Sequence, residues 1–536
     1  MRAVVACLAG MCAVGFGLGC SGIGDNEDDF TSNQATLLTF EFDGELVTKD
    51  AWNLEHTAND QLLYTIGHLN GSRAVGRLDA TKLTNFKTDR LDDGTTHVTF
   101  HAVMPVGWGS KTNLPKTYDL TLPKRVDYQG LQDFATKYEH SGCVEAGAHD
   151  VSVDSLWYYF RPSQSGCSLA ETDVVHVKAT VTKSAENTEG KYPEYDKVWS
   201  DDTLSVVAIF GKYDEGATSS SDSGISAFNR FVQTARATWK NGTVTPADLP
   251  NAPGTEHPDV TIEAPLPGGR TIRITALLTD KISSAPQAFY DRYEGLSTSA
   301  DLIFYNGHSG LGQNVRALAQ KGKFEAGKYQ IFFMNGCDSF AYVDGSLAKT
   351  RSVLNPDDPT GTKYMDVITN VMPSFFTSMP DASLAVIAGL AAPDAPKTYQ
   401  QIFENIDKSE VVVVTGEEDN AYTPAGPTEK WSYADKGTVT KGQSKELSLG
   451  ELPAGSYSIA MHEDQSKLGG DADLYVRFGA KPTLTSSDYR PWIDGSNEEV
   501  TFKLEVPTTV FVMVNGYDDG MTDPSASFTL AGKTVE

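Results

Sequence analysis

A histidine and a cysteine, each placed directly after a short apolar run, are the residues of this chain best suited to covalent chemistry. His308 lies in Asn306-Gly307-His308-Ser309-Gly310 and Cys337 in Asn335-Gly336-Cys337-Asp338-Ser339. One amphipathic segment separates the two runs. If the runs are neighbouring parallel strands, both side chains emerge at the same sheet edge, as a thiol nucleophile and its general base require. Amide hydrolysis by cysteine needs a thiolate near neutral pH, a proton for the leaving amine, and N–H donors for the oxyanion. His308 can serve the first two needs. Gly307, Gly310, Gly312 and Gly336 let backbone amides approach a carbonyl, and those of Ser309 and Cys337 are the candidate donors.

Other chemistries fit less well. A serine nucleophile elbow would want glycine where Leu311 stands and a suitable histidine downstream, where only His462 follows. A metal held by His308 and Cys337 would need further ligands. Taken singly, each residue reads as structural: a histidine in a turn and a small buried thiol.

The elements around the pair alternate between strand and helix from Thr203 onward. Strands are expected at Thr203–Phe210, Thr271–Leu278, Asp301–Tyr305, Gln330–Met334, Ser383–Gly389 and Val411–Thr415. Helices are expected at Ser226–Trp239, Pro286–Tyr293, Asn314–Gln320, Met365–Ser378 and Lys397–Ile406. Six strands interleaved with helices imply an α/β domain over 199–415 with a mostly parallel sheet, its site at the carboxyl ends of the strands. Residues 35–198 alternate apolar and polar positions and read as an all-β domain. His97 and His101 share one strand face there, but neither they nor His149 and His176 show a zinc spacing. Residues 416–440 are polar with Gly and Pro and read as a linker, and 441–536 as a small β-sandwich.

The chain carries 71 acidic against 44 basic residues, a formal charge of −27 over 536 residues. That excludes nucleic acid and anionic membrane surfaces as partners, since both need clustered Lys and Arg. Residues 1–20 have the layout of an export signal, too short to remain as a membrane span. Gly17-Leu18-Gly19-Cys20 resembles a bacterial lipoprotein signal, which implies lipidation of Cys20 and a location in the cell envelope, as an outer-membrane lipoprotein; simple secretion is the alternative. Residues 21–34 then form a polar tether. Of six cysteines, Cys7 and Cys12 fall in the signal and Cys20 is the lipid site. Cys143 and Cys167 remain as a disulfide pair for an oxidising compartment, and Cys337 is the odd thiol.

A strand ending in histidine, a helix, and a strand ending in cysteine together resemble the caspase-like cysteine peptidases. Tyr305-Asn306-Gly307-His308 is similar to the corresponding run of the gingipain-type branch. The resemblance spans about 203–415. It implies a Cys337–His308 dyad needing no cofactor, and an oxyanion hole from the amides of Cys337 and Ser309. The family has glycine directly after the histidine, where this chain has Ser309, a residue that resists positive φ. An acid that selects basic substrates would lie on a loop, with Asp338, Asp344, Asp394 and Asp419 as candidates.

Gly470-Asp471-Ala472-Asp473-Leu474-Tyr475-Val476-Arg477, Arg490-Pro491-Trp492 and Val512-Met513-Val514-Asn515-Gly516-Tyr517 closely resemble the bacterial pre-peptidase C-terminal domain. Asp471 and Asp473 are candidate calcium ligands, or else turn-forming aspartates. The expectation is a monomeric, exported cysteine endopeptidase acting on protein or peptide, with membrane contact only through a lipid anchor. The alternatives are a non-catalytic surface binding protein on a peptidase-like fold, and a cysteine-dependent transpeptidase or self-processing protein.

Overall fold

The computed structural model describes residues 35–535, apart from 149–150, 185–186, 188–189, 408–409, 417–419, 425–430, 465–468 and 518–524. The expected signal, Cys20, the tether, His149 and Asp419 lie outside the described residues. The chain divides into two compact units, 1–422 and 423–536, and the expected β and α/β domains both fall in the first.

The strand Thr36–Thr48 alternates buried and exposed side chains over most of its length, the pattern of a sheet with one wet face. It pairs antiparallel with Thr96–Trp108 from Thr36↔Trp108 to Thr48↔Thr96 and forms part of a six-stranded sheet. The wet face carries histidine–carboxylate contacts: His101 Nδ1 lies 2.8 Å from Asp43 and His97 Nε2 2.9 Å from Glu45. On the apolar face Phe40, Leu46 and Met104 pack with Leu62, Ile66 and Phe134. Those last three belong to the helices Leu54–Leu62, Tyr64–Asn70 and Tyr128–Tyr138, so this region is not all-β as expected. The signals were local: Asn53 and Asp127 cap two of these helices through their side chains. Residues 130, 134, 135 and 138 are buried at helical spacing. Cys143 and Cys167 form the expected disulfide.

The second sheet has eight strands rather than the six expected, because the short strands Thr243–Thr245 and Asp259–Pro265 extend its edge. Five neighbours run parallel, in the order Met365–Asn370, Gln330–Asn335, Leu302–Asn306, Thr203–Gly211 and Thr271–Thr279. Antiparallel strands flank them: Val412–Thr415 on one side, Asp259–Pro265 and then Thr243–Thr245 on the other. The sheet is covered on both faces, so its strands lack polar alternation. Val206, Ala208 and Phe210 pack in one core with the helices Ser223–Thr238 and Met379–Leu390, while Val207 and Ile209 pack in the other with Gln287–Ser297 and Gln313–Lys321.

Residues 365–390 reverse the expected assignments. Met365–Asn370, expected to begin a helix, is a fully buried strand. Met379–Leu390, expected to hold the strand Ser383–Gly389, is a helix with Pro380 in its first turn. Its buried positions include 379, 382, 383, 386, 387 and 390, a helical stripe. The misreading came from an apolar run, Leu384 to Leu390, whose alanines favour a helix once Pro380 starts one. In the first segment Val367, Ile368 and Thr369 are β-branched and suit the strand.

In the second unit two antiparallel sheets enclose one core, as expected for a β-sandwich, but the sandwich starts earlier than expected: its strand Ser432–Thr440 lies in the expected linker 416–440. Four strands (Ser432–Thr440, Ser525–Val535, Gly455–Glu463 and Glu498–Leu504) form one sheet and three (Ser444–Leu452, Thr508–Gly516 and Ala472–Phe478) the other. Ile459, Leu474, Val512 and Phe528 lie fully buried in the core.

Candidate active site

Leu302–Asn306 and Gln330–Asn335 pair in parallel with Asn306 opposite Asn335. His308 and Cys337 each follow two residues later, so they occupy equivalent positions at the carboxyl edge. Gly307 N donates to Asn335 O at 3.2 Å, extending the ladder into the turns. The turns then nest. A Cβ on Gly336 would stand 2.7 Å from Gly307 O and 2.8 Å from Ser309 Oγ, and one on Gly307 would stand 2.7 Å from Tyr305 Oη. Contacts that short are closer than side chains tolerate, so both positions call for glycine.

Ser309 is what joins the turns. Its backbone is right-handed, φ −64° and ψ −30°, so the serine carries no positive-φ strain. The left-handed conformations fall on Gly310, Leu311 and Gly312 instead. Ser309 Oγ donates to Cys337 O at 2.6 Å. Buried Asn314 steadies the histidine side, with Nδ2 donating to His308 O at 2.7 Å and to Tyr305 Oη at 3.1 Å, and Oδ1 accepting from Ser283 N at 3.1 Å.

The imidazole of His308 is exposed and packs against Tyr213 and Phe376, with ring centroids 5.1 and 5.3 Å away. Its Nε2 lies 3.2 Å from Tyr213 O. A carbonyl only accepts, so Nε2 carries the proton in the neutral ring and Nδ1 is the basic nitrogen. The Tyr213 loop is itself held by Asp222, whose carboxylate accepts from Tyr213 N at 3.1 Å and Asp214 N at 2.8 Å while capping the next helix. Cys337 is partly buried, and its thiol donates to Ser374 O at 3.3 Å.

Beneath the pair lies a buried polar layer. Asn335 Nδ2 donates to Asn306 Oδ1 at 2.8 Å, Ser383 Oγ donates to the same oxygen at 3.0 Å, and Ser374 Oγ donates to Asn335 Oδ1 at 2.7 Å. Buried amides without such bonds would cost about 1–3 kcal/mol each, so the layer locks the two strand ends together. Further along, Ser378 Oγ donates to Glu410, whose carboxyl burial pushes up to about 7. Sequence reasoning missed Asn306, Asn335, Asn314 and Tyr213. The signal for the first two was the repeated Asn-Gly that ends both strands.

Of the four acids expected to select a substrate, the three among the described residues are occupied elsewhere. Asp338 is fully buried and faces away from solvent toward Asn70, whose Nδ2 lies 3.2 Å from its Oδ2. Burial pushes its carboxyl up to about 7. It cannot present a charge to substrate. Asp344 pairs with Arg316 at 3.1 Å and Asp394 with Arg270 at 2.8 Å. Among the described residues no group of three or more His, Cys, Asp or Glu is placed to hold a metal. Asp473 lies 3.3 Å from Arg490 Nη2, and that guanidinium sits 3.6 Å from the Trp492 ring centroid.

Residues 436–516 match the model of the bacterial pre-peptidase C-terminal domain. Among curated proteins the chain is 50% identical over 50 residues to the virulence metalloprotease of Vibrio anguillarum, covering 9% of this chain and 8% of that one. It is likewise 50% identical over 50 residues to the alkaline serine exoprotease A of Vibrio alginolyticus, covering 9% of each. The chain thus spans under a tenth of the length of these relatives, and the likeness is confined to the C-terminal domain. One relative is named for metal and the other for serine chemistry, so this domain does not carry the catalytic type. Among solved structures, the pre-peptidase C-terminal domain of a Bacillus anthracis collagenase aligns at 16% identity with a TM-score of 0.16, covering 19% of this chain and 89% of that one. Among the described residues no helix is long and apolar enough to cross a membrane.

Proposed function

We propose that the chain is an exported cysteine endopeptidase, with a caspase-like domain over 199–415 in which Cys337 is the nucleophile and His308 its general base and acid. The observation that carries this reading is the register. His308 and Cys337 stand the same two residues beyond paired asparagines on adjacent parallel strands, and Ser309 ties one turn to the other. His308 Nδ1 takes the thiol proton as sulfur attacks the substrate carbonyl carbon. The amides of Ser309 and Cys337 receive the oxyanion. The imidazolium then returns its proton to the leaving amine as the C–N bond breaks. Water, deprotonated by His308, next attacks the thioester carbonyl, the C–S bond breaks to release the acid, and the proton returns to the Cys337 sulfur. Tyr213 O, holding Nε2–H, supports the imidazolium that forms in each step. A protein or peptide substrate, monomeric action and no required cofactor belong to the same reading, as does a lipid anchor at Cys20. In the resting form the thiol donates to Ser374 O and must turn from it to react, which is consistent with the loose geometry of unliganded sites.

A peptidyl electrophile tests this directly. The folded protein should be labelled at neutral pH, Cys337→Ala should not be labelled, and His308→Ala should be labelled at least about a hundredfold more slowly, the usual scale for loss of a general base. Labelling that persists in Cys337→Ala, or never occurs in folded wild-type protein, overturns the assignment. The second outcome would favour a non-catalytic binding protein on this fold.

A further inference from the structure

The turn that follows the thiol is gripped from behind by the N-terminal sheet and its helices. Asp338 adopts the left-handed conformation, φ 50° and ψ 31°, which costs a non-glycine residue about 1–2 kcal/mol unless its surroundings impose it. The surroundings here come from 268 residues earlier in the chain, where Asn70 ends the helix Tyr64–Asn70 and donates to Asp338 Oδ2. Asn70 is 3% exposed and Asp338 is 0% exposed, so neither can exchange this bond for water. The same region holds the rest of the turn. Arg77 Nη2 donates to Val343 O at 3.3 Å, with its guanidinium 5.8 Å from the Phe340 ring centroid. Gly107 sits so close to Val371 that a Cβ there would stand 2.6 Å from a methyl carbon. Val371 opens the loop to Ser374, the residue whose carbonyl receives the Cys337 thiol. Phe340, Ala341, Val371 and Met372 accordingly belong to the core of the N-terminal sheet rather than to either core of their own sheet.

We propose that the Asn70–Asp338 hydrogen bond makes the N-terminal region a positioning element for Cys337, imposing the left-handed turn that fixes the cysteine's place at the strand end beside that of His308. The inference rests on the reading of Cys337 as nucleophile. Asn70 and Asp338 touch no substrate; they act through the backbone of the neighbouring cysteine. The groups facing the Asp338 carboxyl are Asn70, Tyr158, and behind them Arg161 and Glu145, themselves paired at 2.8 Å. Asn70, Tyr158 and Arg161 favour the charged carboxyl, while burial and Glu145 oppose it.

Alkylation of Cys337 by iodoacetamide at pH 7, read by mass spectrometry on the full-length protein, separates positioning from plain stabilisation. Asn70→Ala and His308→Ala should each slow alkylation at least about tenfold, and the double variant should be no slower than His308→Ala, because residues acting through one contact are non-additive. Asp338→Asn keeps an acceptor for Asn70 and a side chain that tolerates the left-handed region, so it should stay within about threefold of wild type. A wild-type rate in Asn70→Ala, or a slowing that multiplies with His308→Ala, overturns the proposal. If thermal unfolding shows Asn70→Ala to be unfolded, Tyr158→Phe takes its place. It removes one hydroxyl and should slow alkylation about threefold, with the same loss of effect in the His308→Ala background; no slowing, or a multiplicative one, overturns the proposal. A wild-type rate that His308→Ala leaves unchanged overturns the peptidase reading itself. With that dependence intact, the Asn70 result bears on the positioning role alone.

Discussion

The turn after the histidine strand and the turn after the cysteine strand both start from a buried Asn-Gly, and from there their surroundings diverge. The histidine turn runs outward: His308 is exposed, Leu311 is 47% exposed, and three successive residues adopt positive φ. Its anchors lie around its own sheet: Asn314 six residues on, and the Tyr213 loop 95 residues earlier. The cysteine turn runs inward: Asp338, Ser339, Phe340 and Ala341 are all buried, and besides Ser309 and Ser374 it is held by Asn70 and by the core of the N-terminal region. A general base must change its hydrogen bonds during turnover, whereas a nucleophile gains from being held still. On the proposed reading of His308 as base and Cys337 as nucleophile, the contrast in packing fits that division of labour.

The contrast breaks most completely if the nested glycine is filled. Gly336→Ala puts a methyl 2.7 Å from Gly307 O and forces the two turns apart. Peptide turnover should fall by more than about a hundredfold, since misplacement of about 1 Å is worth that much, while circular dichroism stays near wild type. Asn314→Ala attacks the histidine side only. Losing its three side-chain hydrogen bonds should cost about 1–3 kcal/mol in chemical denaturation and lower kcat about tenfold, with a smaller slowing of Cys337 alkylation by a small reagent. If alkylation falls as far as turnover, the two turns are not separately anchored.

Protonation probes the cysteine side. Glu410 holds its proton up to about 7 when folded but releases it near its ordinary 4.5 when unfolded. The folded state therefore binds more protons between those values, and stability is lost as pH rises from 4.5 to 7. Asp338, raised from 3.8 to about 7, has the same sign. Buried His68, lowered from 6.5 to about 4, has the opposite one. Subtraction of Glu410→Gln from wild type cancels the last two. The drop in Tm between pH 5 and pH 7.5 should be smaller in Glu410→Gln, and an equal drop would show that the carboxyl is charged in the fold. The smallest effect is expected at Leu311→Gly, where relief of the left-handed backbone at φ 51° should raise stability by up to about 1 kcal/mol and leave the cysteine side untouched.

What could be read in advance follows the same divide. The strand ends, the His308 and Cys337 positions, the disulfide and the C-terminal sandwich rest on short-range patterns, and they were legible. The exchange of strand and helix over 365–390 was not, because an apolar run such as Leu384–Leu390 fits either element until tertiary packing decides. The N-terminal helices were legible in principle from Asn53, Asp127 and the spacing of Phe134 and Tyr138. Asn70 was beyond reach, since nothing near it in sequence refers to a residue 268 positions away.

The paired asparagines also act as a ruler. From Asn306 and Asn335 the chain counts two residues to His308 and to Cys337, through two turns that nest against each other. Tolerance here is therefore arithmetic rather than volumetric. A codon gained or lost between either asparagine and its partner residue would carry that side chain out of its nested turn, whereas many changes of size outside the nested glycines would leave the count intact. Among homologous chains, length should be invariant over 306–308 and 335–337 even where residue identity drifts.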